Sequence, residues 1–160
     1  MKATKEQEAF MKEAIRLASE NIKTGNGGPF GAVVVKNGKI IGRGANRVTS
    51  DNDPTAHAEI MAIREACRNL GTFQLDDCEL YSSCEPCPMC LGAIYWARPS
   101  NVYYAATREM AAGAGFDDSY IYGQIPLHPH ERDIPTYQLE LENAIQVFDE
   151  WMESGKKIPY

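Results

Sequence analysis

The sequence lacks the features that place a protein in a membrane or carry it across one. It has no apolar run of the roughly 20 residues that a membrane-spanning helix needs, and its first residues, MKATKEQEAFMKEA, contain no apolar signal-peptide region. Low-complexity tracts and internal repeats are also missing. With 160 residues of ordinary globular composition, we expect one cytoplasmic domain, residues 1–160, that buries about 70% of its unfolded-chain surface.

Clustered positive charge is also missing. Lys and Arg total 16 against 22 Asp and Glu, so the formal net charge is −6 at pH 7, and no run of Lys or Arg exceeds two residues. Proteins that bind nucleic acids through their phosphates usually present a basic face. The composition therefore favours a small-molecule partner, with no nucleic acid and no membrane as partners.

Cysteine is scarce outside one cluster. The chain has five cysteines, and three of them, Cys84, Cys87 and Cys90, lie within seven positions. Cysteines of cytoplasmic proteins stay reduced, and a cluster this tight cannot pair entirely within itself. Disulfides are therefore disfavoured. The cluster belongs either to a closed structural metal site or to an open metal site that performs chemistry.

Hydrophobic periodicity and turn residues predict a chain of mixed helices and strands. Thr4 and Gln7 have the spacing of a helix capping box, and Asn37-Gly38 favours a type I′ hairpin turn. The predicted elements are helices over residues 4–25, 57–71, 86–99 and 143–157, a hairpin over 30–46, and strands over 78–83, 101–106 and 136–142. This order predicts an α/β fold, a three-layer α/β/α sandwich with a central five-stranded mixed sheet. The roughly thirty residues before the last strand suit a crossover, so the fifth strand is expected to be parallel to the fourth.

Two predicted helix starts carry candidate metal ligands. Cys87 and Cys90 lie three residues apart in the first turn of one helix, so their sulfurs project from the same side. The positive end of a helix lowers a thiol pKa and favours the thiolate that binds metal. His57 stands at the start of another predicted helix. Two thiolates and one imidazole form a tetrahedral zinc site whose fourth position is left for water.

Cys84 and Glu59 bear on whether this site is closed or open. Cys84 as a fourth ligand would make a closed, structural site, but it stands at the end of a predicted strand, away from the helix face of the other two thiols. Glu59 follows His57 by two residues. A carboxylate there has no use in a closed site, whereas beside an activated water it can carry protons. We predict an open catalytic site; the alternative is a structural or non-catalytic zinc site.

The histidine and cysteine motifs also carry a family resemblance. His-x-Glu in HAE and Pro-Cys-x-x-Cys in PCPMC match the signature of zinc nucleobase deaminases, so the chain resembles the cytidine-deaminase-like superfamily. DPTAHAEIMAIR and EPCPMC are similar both to tRNA adenosine deaminases and to the bacterial guanine deaminases. The latter resemblance extends over nearly the whole chain, through GGPFGAVVVKNG, LDDCELYSSCEPCPMCLGAIYWARP, AGFDDSYIY and a final tyrosine.

The resemblance to guanine deaminases implies a reaction. A hydrolase of this family converts guanine to xanthine and ammonia, in purine salvage or catabolism, with one Zn²⁺ per subunit on His57, Cys87 and Cys90. It implies that activated water attacks ring carbon C2 and that Glu59 carries its proton to ring N3 and then to the departing amino group. Backbone N–H groups at the two helix starts, that of Ala58 among them, are expected to assist the developing charge.

The resemblance also implies residues that bind the base. Phe30 is expected to pack near the ring, Asn46 to hydrogen-bond the base, and Asp118 to accept protons from it, since a carboxylate matches the adjacent N1–H and N2–H donors of guanine. Tyr160 is expected to close the pocket, and a tail of about residues 143–160 to be exchanged within a homodimer. Taken without the resemblance, Phe30 is a core residue, Asn46 a turn residue and Asp118 a helix cap.

Two other functions remain open from the sequence. The same chemistry could act on guanosine or on adenosine in tRNA, which requires a pocket that the tail does not close. A zinc-stabilised scaffold without catalysis is the other, and the presence of Glu59 is the feature against it. His128 and His130 could bind a second metal, but histidines in a Pro-rich loop are more often plain surface residues.

Overall fold

The computed structural model describes residues 2–141 and 143–160, and its contacts divide the chain into two compact units, Met1–Asp118 and Ser119–Tyr160. Across these residues, each helix is too short or too polar to span a bilayer. The first unit contains α1 (Lys5–Thr24), β1 (Gly31–Lys36), β2 (Lys39–Ala45), α2 (Val48–Asp51), α3 (Ala58–Leu70), β3 (Cys78–Cys84), α4 (Pro88–Ala97), β4 (Asn101–Ala106) and α5 (Arg108–Gly113).

The first unit is built on a mixed sheet with the strand order β2-β1-β3-β4. Strand β1 is antiparallel to β2 and to β3, whereas β4 is parallel to β3. The turn of the β1–β2 hairpin places Asn37 and Gly38 at positive φ, of 51° and 72°, as a type I′ turn requires. The predicted α/β class, the mixed sheet and the hairpin are confirmed.

The predicted fifth strand is wrong. The sheet formed by the described residues has four strands, and residues 136–141 join no ladder, while Glu142 lies outside the described residues. The alternation of Tyr137, Leu139 and Leu141 with polar residues is typical of a strand, but these side chains are 71%, 79% and 65% exposed. A strand also needs an edge to pair with, and that partner cannot be read from a local pattern.

Helices cover both faces of the sheet and give the predicted α/β/α layers. On one face Val33, Val35 and Tyr81 are buried, and Phe10 and Leu17 of α1 pack against them. The opposite face carries the larger cluster, which joins the sheet to α3 and α4; its fully or nearly fully buried members are Ala32, Val34, Ala58, Ala62, Ala66, Leu75, Cys78, Leu80, Ile94 and Ala97. Burial of this apolar surface on both sides is the main stabilising contribution to the unit.

Small residues bring α3 very close to β2. Ala58 and Ala62 are completely buried on the inner side of the helix. A Cβ atom on Gly44 would lie 2.0 Å from the carbonyl oxygen of Ala58, so no side chain fits at that position of β2. The start of α3, with His57 before it and Glu59 in its first turn, is therefore held against the end of β2.

The second unit contains α6 (Ser119–Gln124), a short 3₁₀ helix (Pro129–Glu131) and α7 (Gln146–Glu153). The predicted closing helix is present but shorter than residues 143–157. No residue in the described part of this unit is buried. Its exposed apolar side chains include those of Ile121, Ile125, Ile134, Leu139, Ile145, Val147, Phe148, Trp151 and Met152. The single domain with an exchanged tail stays a prediction.

Candidate metal and catalytic site

The sheet register brings the candidate residues to one edge. Gly31 pairs with Ala45, so Phe30 before β1 and Asn46 after β2 lie at the same edge. Because β1 is antiparallel to β3 and β3 is parallel to β4, the ends of β3 and β4 lie at that edge as well. The loop that follows β3 leads directly into Cys87 and α4. Residues far apart in the sequence thus meet there.

Three side chains form a metal-binding cluster at this edge. The ligand atoms of His57, Cys87 and Cys90 all lie within 4.8 Å of one another. The Nδ1 atom of His57 is 3.5 Å from each of the two sulfurs. Zinc bonds of about 2.0–2.1 Å to nitrogen and about 2.3 Å to sulfur, at a tetrahedral angle, separate the two atoms by about 3.6 Å. The cluster therefore fits one zinc ion.

The start of α4 favours thiolate at this cluster. Cys87 is the N-cap residue of the helix, and Cys90 lies in its first turn. A hydrogen bond from the Cys90 thiol, reinforced by His57, lowers the pKa of Cys87 to about 4. The same bond and then burial raise the pKa of Cys90. Binding of a metal to both sulfurs therefore releases a proton from Cys90.

Cys84 lies outside the ligand cluster, as predicted. It is only 6% exposed, and its sulfur is directed to the carbonyl oxygen of Thr107 at 3.7 Å. Among the described residues, the cluster that could hold a metal consists of His57, Cys87 and Cys90. Three protein ligands leave the fourth tetrahedral position for water, which is the arrangement of catalytic zinc sites.

Glu59 is a buried carboxylate beside this cluster. It is 6% exposed, and its Oε2 accepts a hydrogen bond of 3.4 Å from Cys90. Its Oε1 accepts one of 3.2 Å from the hydroxyl of Ser82. Burial raises the pKa of Glu59, and the negative charge of Cys87 adds to this effect. A carboxyl with a raised pKa beside a metal site can take up and return a proton.

Ser82 was missed by the sequence reasoning, although a signal for it exists. Its position in β3 is on the same face as Leu80, where the register predicts a core side chain. The hydroxyl is 2% exposed and contacts the Glu59 carboxylate. A polar residue at a core position of a buried strand needs a hydrogen-bond partner. That requirement could have marked Ser82 as a buried hydroxyl with a partner, but it does not identify Glu59 as that partner.

Phe30 and Asn46, which were predicted to contact the base, both lie at this edge of the sheet. Asn46 is 6% exposed, and its Oδ1 accepts hydrogen bonds from the backbone N–H groups of Gly28 and Val48 at 3.1 and 3.2 Å. Phe30 is half-buried and packs against Phe116 edge to face, with ring centroids 4.9 Å apart. Phe116 was not predicted as a site residue, although it stands in the segment AGFDDSYIY. The two rings form an aromatic wall.

The remaining predicted residues differ in how the structure places them. Asp118 is half-buried, and its pKa is raised by burial and then by the charge of Cys87. Ala58 is completely buried and is the first residue of α3. Tyr160 belongs to the second unit and is 72% exposed. The roles of these three residues stay predictions.

A family comparison agrees with the geometry of the cluster. The family described as "Cytidine and deoxycytidylate deaminase zinc-binding region" matches residues 4–106. The chain belongs to this zinc-binding deaminase family. The matched residues include His57, Glu59, Cys87 and Cys90, so the metal cluster and its neighbouring carboxylate lie within the deaminase region.

Individual deaminases give a finer comparison. The chain is 58% identical over 153 residues to guanine deaminase from Bacillus subtilis (strain 168), covering 96% of this chain and 98% of that protein. An X-ray structure of guanine deaminase from Bacillus subtilis has a TM-score of 0.94, with 58% identity over 96% of this chain and 98% of that chain. A tRNA-specific adenosine deaminase from Aquifex aeolicus is 44% identical over 107 residues, which cover 67% of this chain and 70% of that protein.

Proposed function

We propose that this deaminase hydrolyses guanine and water to xanthine and ammonia, with one zinc ion per subunit. The observation that carries the proposal is the extent of the likeness to guanine deaminase. It covers 96% of the chain at 58% identity, and thus includes both structural units. The likeness to the tRNA-specific adenosine deaminase covers 67%.

Each protein group at the metal cluster has a distinct role in this reaction. Zinc held by His57, Cys87 and Cys90 would activate the attacking water when bound. The Glu59 carboxylate takes one proton of that water and delivers it to ring N3 as the water oxygen bonds to C2. It then takes the second proton from the hydroxyl now on C2 and gives it to the amino group, which leaves as ammonia as the C2 carbonyl of xanthine forms. Ser82 donates to Oε1 of Glu59 and leaves Oε2, which faces Cys90, for proton transfer.

Recognition of the base is assigned to groups around the aromatic wall. The two carboxylate oxygens of Asp118 accept the adjacent N1–H and N2–H of guanine. Asn46 already uses its Oδ1 to bind two backbone N–H groups, so its Nδ2 donates to an acceptor of the base. Phe30 packs against the ring, and Tyr160 closes the pocket. These roles remain part of the proposal.

Deamination of adenosine in tRNA is a second candidate because of the 44% identity over the deaminase region. The same metal cluster and Glu59 would serve that reaction. The acidic net charge of −6 counts against an RNA substrate. Guanosine is a third candidate only if the pocket leaves room for a ribose.

Ammonia release by the zinc-loaded protein tests the proposed function. We expect turnover of guanine, and none of adenine, cytosine, guanosine, cytidine or a tRNA substrate supplied in parallel at equal concentration. The amount of xanthine formed, measured by its absorbance, should equal the amount of ammonia released. Turnover of tRNA or guanosine without guanine would contradict the proposed substrate, and inactivity on all six with zinc bound would favour the scaffold alternative.

We also propose a homodimer in which the tail is exchanged, located in the cytoplasm. The second unit exposes apolar side chains on α7 that a stable partner would cover; Phe148 and Trp151 are 64% and 45% exposed. A helix with one exposed apolar face usually packs against another element. The five cysteines are free, as in a reducing compartment.

Sedimentation equilibrium tests the dimer. We expect twice the mass of one chain, and a shift towards a single-chain mass on Phe148→Glu, because burying a charge in an apolar interface is costly. Glu150→Lys is the matched control, since it changes charge on the same helix without adding charge to the apolar face. A wild-type protein that sediments as one chain at micromolar concentration would contradict the dimer.

A further inference from the structure

A buried asparagine on α1 connects two segments at the edge that carries the site. Asn21 is 5% exposed, although it lies in the last part of a surface helix. Its Nδ2 donates one hydrogen bond to the carbonyl oxygen of Gly28 and another to that of Asn46, both of 2.8 Å. Both amide hydrogens are therefore used, one by the loop before β1 and one by the residue that follows β2.

The second of these segments carries Asn46, and its side chain is held in one orientation. Its Oδ1 accepts from Gly28 and Val48, and its backbone N–H donates to the carbonyl oxygen of Phe30 at 3.1 Å. Within the part of the chain that the structure describes, no protein acceptor takes a hydrogen bond from Nδ2 of Asn46. The carboxamide therefore presents a donor, and not an acceptor, to a bound molecule.

The loop between α1 and β1 lies close against the end of β2. A Cβ atom on Gly27 would lie 2.2 Å from the carbonyl oxygen of Asn46. The next residue, Gly28, accepts from Asn21 and from the backbone of Phe30 at 2.8 Å through its carbonyl, and donates to Asn46 through its N–H. Loop and strand end are thus joined to each other and, through Asn21, to α1; loss of the two Asn21 donors would remove the bonds that fix both to the helix.

We infer that Asn21 is a positioning residue for base recognition: it holds the backbone at Gly28 and Asn46 so that Nδ2 of Asn46 is aimed as a donor at a ring acceptor of the base. The role rests on the proposed function, since it needs a base in the pocket. Asn21 touches neither the metal cluster nor Glu59 in the hydrogen bonds that it makes. Its loss should therefore weaken binding and leave the chemical step intact.

Steady-state kinetics of Asn21→Ala provide the test. We expect KM for guanine to rise about tenfold and kcat to stay within about twofold, because two neutral hydrogen bonds that orient a binding group are lost. The affinity for the product xanthine, measured by calorimetry, should fall by a similar factor, and zinc content should not change. Asn69→Ala is the matched control: Asn69 donates a single 2.9 Å bond from α3 to Ile41 in β2.

A double-mutant cycle separates positioning from general stability. If Asn21 acts through Asn46, Asn21→Ala should add less than about twofold to the KM of an Asn46→Ala protein. Independent, multiplying effects would overturn the role, as would an unchanged KM in Asn21→Ala or a joint loss of kcat, zinc and thermal stability. Asn21→Leu, which keeps about the same size and removes both donors without burying a charge, repeats the test if the alanine protein does not fold. A wild-type protein that does not turn over guanine would overturn the proposed function itself.

Discussion

Replacing Glu59 with glutamine is expected to lower guanine turnover by between about 10² and 10⁴-fold, the range that a positioned acid or base supplies. Glutamine has the same size and can still accept the hydrogen bond of Ser82 through its amide oxygen. It cannot take a proton from water and return it to the ring. Because Glu59 is not a metal ligand in the cluster of His57, Cys87 and Cys90, zinc content and the melting temperature should stay near the wild-type values.

The control for this variant lies on the same helix. Glu65 is in α3 and accepts a hydrogen bond from the backbone of Arg43, away from the cluster. We expect Glu65→Gln to keep guanine turnover within about twofold of wild type. Ammonia release, zinc measured by mass spectrometry and thermal melting are followed for both variants. Near-normal turnover by Glu59→Gln would disprove the proton-transfer role, and loss of zinc would indicate that Glu59 supports the metal.

Removing one metal ligand should abolish activity altogether. We expect Cys87→Ala to lose more than about 100-fold in zinc affinity, which exceeds the effect of changing a residue that only supports a ligand. Guanine turnover should fall below detection, because the two remaining ligands, His57 and Cys90, no longer hold the metal where water is activated. Dialysis against a chelator of moderate affinity, followed by zinc analysis, measures the loss.

Cys84 provides the matched control for this ligand variant. It is a nearby thiol on the same strand-to-helix connection, and its sulfur is directed to Thr107 and not to the cluster. Cys84→Ala should keep one zinc per chain and most of its activity, at a stability cost of about 1 kcal/mol for a small buried side chain. Equal zinc loss in both variants would show that the site is closed by four protein ligands, and an open catalytic position would then be excluded.

The sequence by itself determined the residues of the metal cluster, His57, Cys87 and Cys90, and predicted the carboxylate beside it. Cys87 and Cys90 are three residues apart, and residues at this spacing lie on the same face of a helix whatever surrounds the helix. His57 and Glu59 are also close in the sequence, at the N-cap and in the first turn of α3. The hairpin turn at Asn37-Gly38 was also readable, because few residues other than Asn and Gly adopt positive φ without strain.

Only the tertiary structure decided which distant residues meet. The register of β1 with β2 and β3 brings Phe30 and Asn46 to the edge where the loop after β3 carries the thiols. Ser82 and Asn21 became visible as partners of Glu59 and Asn46 only there. No regular sequence spacing links Ser82 to Glu59 or Asn21 to Asn46, because the two residues of each pair lie in different parts of the fold.

The prediction of a fifth strand was wrong for the same physical reason. The alternation in residues 136–141 describes a segment able to form a strand, but a strand exists only where another edge supplies its hydrogen bonds. The residue spacings that favour a helix and the residues that favour a turn lie within a few positions of one another, so they can be read from a single sequence. Pairing, burial and the orientation of an amide depend on which elements become neighbours, and this is decided when the whole chain packs.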